Sequence, residues 1–340
     1  MIAMHAQTIS PDRLIELGSA YRKAKALLSA VELDLFSVLA RGPLDADKLR
    51  MALDLHTRSA GDFFDTLVAL GLLVRGDDGR YANAPDCDLY LNRESPSFLG
   101  GMFAQFNDRE YRMWSTLTEA LRTGKPQNGC EGVDHFPTIY QEPLQFRAFV
   151  DAMTAGSLPS AQRMAESFPW SNYRSLCDIG TAQGCLPVEV ARAHLHLTAV
   201  GFDLPELAPA FAQYAARYNL GDRVQFRAGN FFHDPLPRAD VIVFGRVLHN
   251  WDLATKKMLL KKAHQSLPSG GAVIVYDMLI DDERRGNASG LLSSLNMLVW
   301  TSAGFGYSGE DCIGWMREAG FSNMRREALP AGQSMVIGVK

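Results

Sequence analysis

Residues 176–206 constrain the fold more than any other stretch of this 340-residue chain. A short apolar run, Leu176-Cys177-Asp178-Ile179, leads into Gly180-Thr181-Ala182-Gln183-Gly184. A helical segment follows, and a second run closes on Gly201-Phe202-Asp203-Leu204. Strand, glycine turn, helix and strand in that order open a nucleotide-type β-α-β unit. Small turn residues let a ligand approach the backbone, and an acid ending the second strand meets a ribose. The glycine spacing departs from the Gly-x-Gly-x-x-Gly of dinucleotide folds, and Asp178 stands two residues ahead of the first glycine. A carboxylate there repels a pyrophosphate and suits a nucleoside that carries positive charge. S-adenosylmethionine, with its ammonium and sulfonium, fits that description, which points to methyl transfer rather than hydride transfer.

Downstream of residue 171 the chain alternates between apolar runs and helical segments, with strands expected at 176–179, 198–202, 224–227, 239–244, 272–276 and 335–339. Such alternation predicts an α/β fold: an open, mostly parallel, Rossmann-like sheet with ligands at the carboxyl ends of its strands. Residues 1–95 read differently. Leu14, Leu17, Tyr21, Leu28, Val31, Leu35 and Leu39 recur at helical spacing across residues 10–40. A second short helix begins near Asp45, a third runs from Thr57 or Ser59 to Gly71, and a hairpin turns at residues 76–79. Three helices and a small hairpin form a winged helix. Its third helix carries Asp62 and Asp65 and no Lys or Arg between Gly61 and Val74, and the hairpin tip adds Asp77 and Asp78. Acids facing phosphates repel them, so the module is expected to dimerise rather than to bind nucleic acid. The apolar surface of residues 14–39 exceeds what so small a domain covers alone, which predicts a homodimer. Residues 96–170 read as a helical, aromatic-rich linker containing Phe136, Tyr140, Phe146, Phe149 and Met153. Phe149 and Met153 are candidate substrate contacts.

The net charge of −4 gives no reason to expect nucleic acid or an anionic membrane as partner. Cys87, Cys130, Cys177, Cys185 and Cys312 are scattered and never spaced Cys-x-x-Cys, so they are expected as free thiols of a cytoplasmic protein. Residues 1–11 lack an apolar run of signal-peptide length, and the uncharged stretch 286–309 is too rich in Ser, Gly, Asn and Thr to span a bilayer.

Four motifs carry a resemblance that covers nearly the whole chain: Asp178-x-Gly180-x-x-x-Gly184, Phe202-Asp203-Leu204-Pro205, Gly229-Asn230-Phe231-Phe232, and Gly245-Arg246-Val247-Leu248-His249-Asn250-Trp251-Asp252. In order and spacing they resemble the family-2 small-molecule O-methyltransferases. That family includes caffeate- and hydroxyindole-type enzymes and bacterial tailoring enzymes, and its members carry an N-terminal winged-helix dimerisation domain. The resemblance implies S-adenosylmethionine as cofactor, with S-adenosylhomocysteine as product. It implies that Gly180 and Gly184 line the methionine moiety with Asp178 near its ammonium group. Asp203, with Leu204 beside it, would meet the ribose hydroxyls, and Asn230 and Phe231 would lie along the adenine. Arg246 matches a basic residue beside the cofactor, and Trp251 packs nearby. His249 is the implied general base toward a phenol, with Asp277 orienting it.

The chain departs from the family at three places. Asn250 replaces the acid of the usual His-Asp-Trp. Asp277 is shorter than the glutamate of plant members, so a water is expected between it and His249. Gly306 stands where a second glutamate would be. Residues 291–305 match the region that forms the acceptor pocket. By period Leu291, Leu295, Leu298 and Val299 are core, while Met297 and Trp300 belong either to the core or to the acceptor pocket. Residues 295–306 contain no histidine, so no metal site of the kind seen in carbon-methylating relatives is expected. The leading expectation is O-methylation of a small aromatic or polyketide-like acceptor. Transfer to nitrogen or carbon, a non-methylating offshoot that binds the same cofactor, and a ligand-sensing winged-helix regulator stay open.

Overall fold

The computed structural model describes residues 9–128, 136–141 and 143–340. Cys130 and residues 1–8, which entered the arguments on thiols and on the N-terminus, lie outside the described residues, as does the side chain of Phe136. The chain forms two compact units, Met1–Arg109 and Glu110–Lys340, so the divide falls inside the stretch expected as a linker.

In the first unit the helical period of residues 10–40 yields two helices, Asp12–Glu32 and Leu35–Ala40. They part at Asp34, whose φ of 57° lies in the left-handed region. Its carboxylate accepts from Ser37 Oγ and from Arg93 Nε, each at 2.7 Å, which holds the break. The helix Ala46–Ala52 starts where Asp45 accepts from the Lys48 amide, and Ala60–Ala69 follows. Strands β1 (Leu73–Arg75) and β2 (Tyr81–Asn83) pair antiparallel as the expected hairpin. Phe36, Leu49, Phe64, Leu67 and Tyr81 close a small core. Asp65 on the third helix accepts from the Tyr81 hydroxyl at 2.7 Å, so this acid serves the module's own packing. Leu14, Ile15 and Leu17 on the first helix are 62%, 63% and 69% exposed, leaving an apolar face.

The second unit is built on a seven-stranded sheet of order β5-β4-β3-β6-β7-β9-β8. Its strands are β3 (Ser175–Ile179), β4 (Thr198–Asp203), β5 (Val224–Ala228), β6 (Val241–Gly245), β7 (Ala272–Asp277), β8 (Ser322–Ala328) and β9 (Ser334–Val339). The first five of these run parallel, while β9 lies antiparallel to both β7 and β8. The sheet is therefore mixed, and β8 was not expected. Alternate residues of each strand enter different cores. Leu176, Val241, Val243, Ile274 and Tyr276 pack with the helix Cys185–Ala193 and the end of the helix Pro143–Ser167. Cys177, Ile179, Ile242, Phe244 and Val275 pack with the helices Leu253–Ser266 and Gly309–Ala319. Strand order reverses at β3, between β4 and β6, which opens a crevice at the carboxyl ends of these strands.

The exposed leucines generate a prediction for the first unit. Leu14→Glu combined with Leu17→Glu should turn a dimer into a monomer, read as a halved mass by light scattering at micromolar concentration. An unchanged mass would place the contact elsewhere.

Candidate active site

Parallel register brings the motif residues to one edge. Asp178 pairs with Gly201 on one side and Val243 on the other, so the ends of β3, β4 and β6 finish together. The turn after β3 is tight. Gly180 and Gly184 have φ values of 72° and 89°. A Cβ on Gly180 would lie 2.7 Å from Val247, and one on Gly184 would lie 2.5 Å from Phe211. Between them Ala182, with φ of 50°, donates its amide to Asp203 Oδ2 at 2.8 Å. Asp203 Oδ1 accepts from the Leu204 amide at 2.8 Å. Gln183, buried, donates to Thr154 Oγ1 at 2.6 Å and so ties the turn to the helix Pro143–Ser167.

The two acids of this edge are both desolvated. Burial pushes the Asp178 carboxyl up to about 7; the Thr181 hydroxyl, donating at 2.8 Å, opposes this and the charge of Asp203 adds to it. Burial likewise lifts Asp203 to about 6 against the amides of Ala182 and Leu204. A pair of buried carboxylates suits a bound cation, and a sulfonium nucleoside with an ammonium group would supply one. Arg246 lies on the same edge with a φ of 56°, and its Nη1 is buried without a hydrogen-bond partner. A Cβ on Gly156 would lie 2.5 Å from that nitrogen, which places the guanidinium against the helix Pro143–Ser167. An orphaned guanidinium nitrogen beside a cation site fits an amino acid carboxylate. The donor set therefore fits S-adenosylmethionine.

Asn230 and Phe231 follow β5. Asn230 Oδ1 accepts from the Phe232 amide at 2.9 Å, so one of its lone pairs closes a local turn. Phe231 and Phe232 meet Trp251 edge-on, with ring centroids 5.8 and 4.8 Å away.

His249 lies in the single helical turn Leu248–Asn250 just beyond β6, and Asp277 ends the neighbouring strand β7. His249 Nδ1 and Asp277 Oδ1 are in direct hydrogen-bond contact. The water expected between them is not needed, because register alone sets the ends of β6 and β7 side by side. Asp277 Oδ2 accepts from the Tyr307 hydroxyl at 3.0 Å, and Oδ1 also accepts from the Met278 amide at 3.0 Å. Burial alone would push the Asp277 carboxyl up. The facing His249, the Tyr307 hydroxyl and the charge of Arg246 outweigh it and hold the carboxyl below its ordinary value. With Nδ1 held on the carboxylate, Nε2 is the ring nitrogen left to take a proton.

The departures from the family have physical answers here. Asn250 Nδ2 donates to the carbonyls of Arg246 and Val247, each at 3.2 Å, closing the turn that carries His249; an aspartate has no donor for this. Gly306 donates its amide to Ser294 Oγ at 2.9 Å, and a Cβ on it would lie 2.9 Å from Ser294 Cβ. No side chain fits there, so a second acid is sterically excluded. Tyr307, not singled out from the sequence, is the additional side chain that meets Asp277. The Ile280 amide donates to the Tyr307 carbonyl at 2.9 Å and keeps that segment alongside the end of β7.

On the helix Ala288–Trp300, Val299 is buried as its period implies and Met297 and Trp300 are buried at 8% and 5% exposure, whereas Leu291, Leu295 and Leu298, expected in the core, are only half-buried. Asn296 on this helix accepts from Trp114 Nε1 at 2.8 Å. Phe149 meets Tyr140 with ring centroids 5.9 Å apart and joins Phe146 and Leu204 around Val150, and Met153 is half-buried on the same helix.

Residues 114–322 match the O-methyltransferase domain, and residues 15–93 match the O-methyltransferase dimerisation domain. The chain belongs to the O-methyltransferase family, whose methyl donor is S-adenosylmethionine. It is 41% identical over 336 residues to the tetracenomycin polyketide synthesis 8-O-methyl transferase TcmO of Streptomyces glaucescens, covering 99% of this chain and 98% of that one. The N,N-dimethyltransferase OxyT of Streptomyces rimosus is 37% identical, with 96% of each chain covered. Human N-acetylserotonin methyltransferase, solved in complex with S-adenosylmethionine, superposes with a TM-score of 0.90 at 27% identity, covering 99% of both chains.

The raised carboxyls give a pH dependence with a definite sign. A cation binds the ionised form of Asp178, whose pKa in the ligand-free protein is about 7, so binding below that pH must release a proton. Affinity for S-adenosylhomocysteine should be level above pH 7 and fall by about tenfold per unit below it, more steeply once Asp203 also protonates. Calorimetry from pH 5.5 to 8.5 reads this; a flat profile would show that Asp178 does not face the ligand's ammonium.

Proposed function

We propose that this O-methyltransferase moves the methyl group of S-adenosylmethionine to a hydroxyl of a small aromatic or polyketide-like acceptor, with His249 as general base. The buried His249–Asp277 pair at the carboxyl edge of the sheet carries this reading. The bound cofactor supplies an electrophilic methyl carbon. The protein has to align an oxygen nucleophile with it and remove that oxygen's proton.

Asp178 receives the ammonium group, Arg246 the carboxylate, and the Asp203 carboxylate the two ribose hydroxyls, whose vicinal donors match its two oxygens. Gly180 and Gly184 give the backbone room for the methionine portion. Phe231 and Trp251 flank the adenine, with Asn230 offering its remaining lone pair to the amino group. A phenol with a pKa of about 10 is almost entirely protonated at neutral pH, so an imidazole within reach accelerates attack. Asp277 fixes the ring with Nε2 outward and stabilises the imidazolium that forms when the proton arrives. Met297 and Trp300, with Phe149 and Met153 on the helix Pro143–Ser167, are the proposed apolar contacts of a flat acceptor.

The likeness to TcmO, named for 8-O-methylation in tetracenomycin polyketide synthesis, supports a polyketide-like acceptor. OxyT, named as an N,N-dimethyltransferase, supports a second reading in which the acceptor atom is an amine nitrogen. Both use the same donor site, and an amine that is already neutral needs less from a base. The dimerisation domain supports a homodimer. Four buried free thiols, Cys87, Cys177, Cys185 and Cys312, support a reducing cytoplasm.

His249→Ala should lower turnover by about 10²–10⁴-fold while leaving calorimetric affinity for S-adenosylhomocysteine near that of the wild type. Phenols, hydroxyquinones and aromatic amines are screened by release of S-adenosylhomocysteine. Unchanged turnover on a phenol at saturation would remove His249 as the base, and turnover confined to amines would favour the nitrogen reading.

A further inference from the structure

Lys256 is fully buried, with 0% exposure, in the first turns of the helix Leu253–Ser266. Among the described residues it has no carboxylate within ion-pair distance; its Nζ donates to two backbone carbonyls, those of Trp251 and Phe305. The nitrogen also sits 3.2 Å from the centroid of the Phe305 ring and 5.6 Å from that of Tyr307. The same helix buries Leu259, Leu260 and Ala263, so a Met or Leu would suit this position if packing were all it had to do. A buried cation held only by carbonyls and ring faces is costly to keep, and an apolar residue of similar volume is often as stable or more so.

The two carbonyls belong to the two segments that flank the base. Trp251 directly follows the turn carrying His249, and Phe305 lies two residues before Tyr307, whose hydroxyl reaches Asp277. These segments are already in close apposition: a Cβ on Gly304 would lie 2.6 Å from the His249 carbonyl oxygen and 2.4 Å from Thr301 Oγ1. With the family's flanking acids absent at Asn250 and Gly306, one amine bridging both segments fixes the distance between the imidazole and the residue that orients its partner. Resting on the reading of His249 as base, we propose that Lys256 is a positioning residue for the His249–Asp277 pair, clamping the Leu248–Trp251 turn to the Phe305–Tyr307 segment.

The groups that face this pair are Tyr307 from one segment, Arg246 from the turn after β6, and Lys256 from the helix, while Asp252 at the helix start also faces Lys256. Burial pushes the Lys256 amine down to about 7 against the opposing pull of Asp277 and Asp252, so the amine is charged on the acid side of neutrality. Without the clamp the imidazole is free to turn on its partner, and a residue that merely fills the core would not alter the tautomer of that ring.

The test uses the intact dimer and two readouts. In protein carrying ¹⁵N-histidine, with His249 assigned by His249→Gln, long-range proton–nitrogen spectra report the tautomer of the ring without any acceptor. Lys256→Met should populate the second tautomer. With a phenol from the screen, kcat should fall about tenfold or more while acceptor KM and S-adenosylhomocysteine affinity stay within about twofold. Lys256→Gln keeps an N–H donor and should show a smaller change in the same direction; it also serves if the methionine variant does not fold. A wild-type His249 tautomer in these variants, or a loss of kcat that only follows a loss of cofactor affinity, overturns the proposal. Because the spectra need no turnover, they judge Lys256 even if His249→Ala proves fully active, a result that would overturn the base assignment instead.

Discussion

Two buried carboxylates on adjacent strands, Asp178 and Asp203, set the terms for the rest of the catalytic unit. Each sits at the carboxyl end of its strand because β3 and β4 run parallel in register, and each loses water there. Burial disfavours the charged form of each, and both carboxyls are raised above their ordinary value. The surrounding turn is shaped around this pair: Ala182 adopts a left-handed backbone to present its amide to Asp203, and Thr181 turns its hydroxyl to Asp178. Such strain persists where the neighbourhood over-determines it. The glycine turn, the second acid and the guanidinium of Arg246, whose Nη1 has no hydrogen-bond partner among the described residues, all suit one cationic nucleoside.

The chemistry end of the crevice is organised on the same principle of strand register. Strands β6 and β7 finish together, so a histidine just past one and an acid ending the other meet without a linking water. Asp277 then gathers Tyr307 and the Met278 amide, and the segment holding Tyr307 is pinned by Ile280. Where plant relatives have a second acid, the surroundings of the His249–Asp277 pair here hold a tyrosine hydroxyl, an asparagine amide and a buried lysine amine.

Most of this was legible in the sequence wherever a signal was local. Asp178, Gly180, Gly184 and Asp203 stand within one β-α-β unit, so spacing brought them together, while His249, just past a strand of apolar residues, was singled out by the family resemblance of its motif. Strand β8 was not legible, because Ser322–Ala328 is an edge strand whose polar side chains carry no apolar alternation. The break at Asp34 was hidden within a continuous helical period, since it depends on Arg93, distant in sequence. Tyr307 and Lys256 escaped for the same reason: their partners are 30 and 49 residues away, and neither residue type announces a role without its neighbours. Met297 and Trp300 were left between core and pocket by their period, and the helix buries them while half-exposing the leucines.

The contact between Gly306 and Ser294 has a bearing on how such enzymes diversify. Because the serine occupies the volume that an acidic side chain at position 306 would need, the two positions are coupled, and neither can change profitably alone. A lineage reaching the acid-flanked arrangement from this one would first have to hollow out the helix bearing Ser294, passing through a cavity-bearing ancestor of lower stability. An acid at position 306 therefore has to arrive together with room made on the helix at position 294.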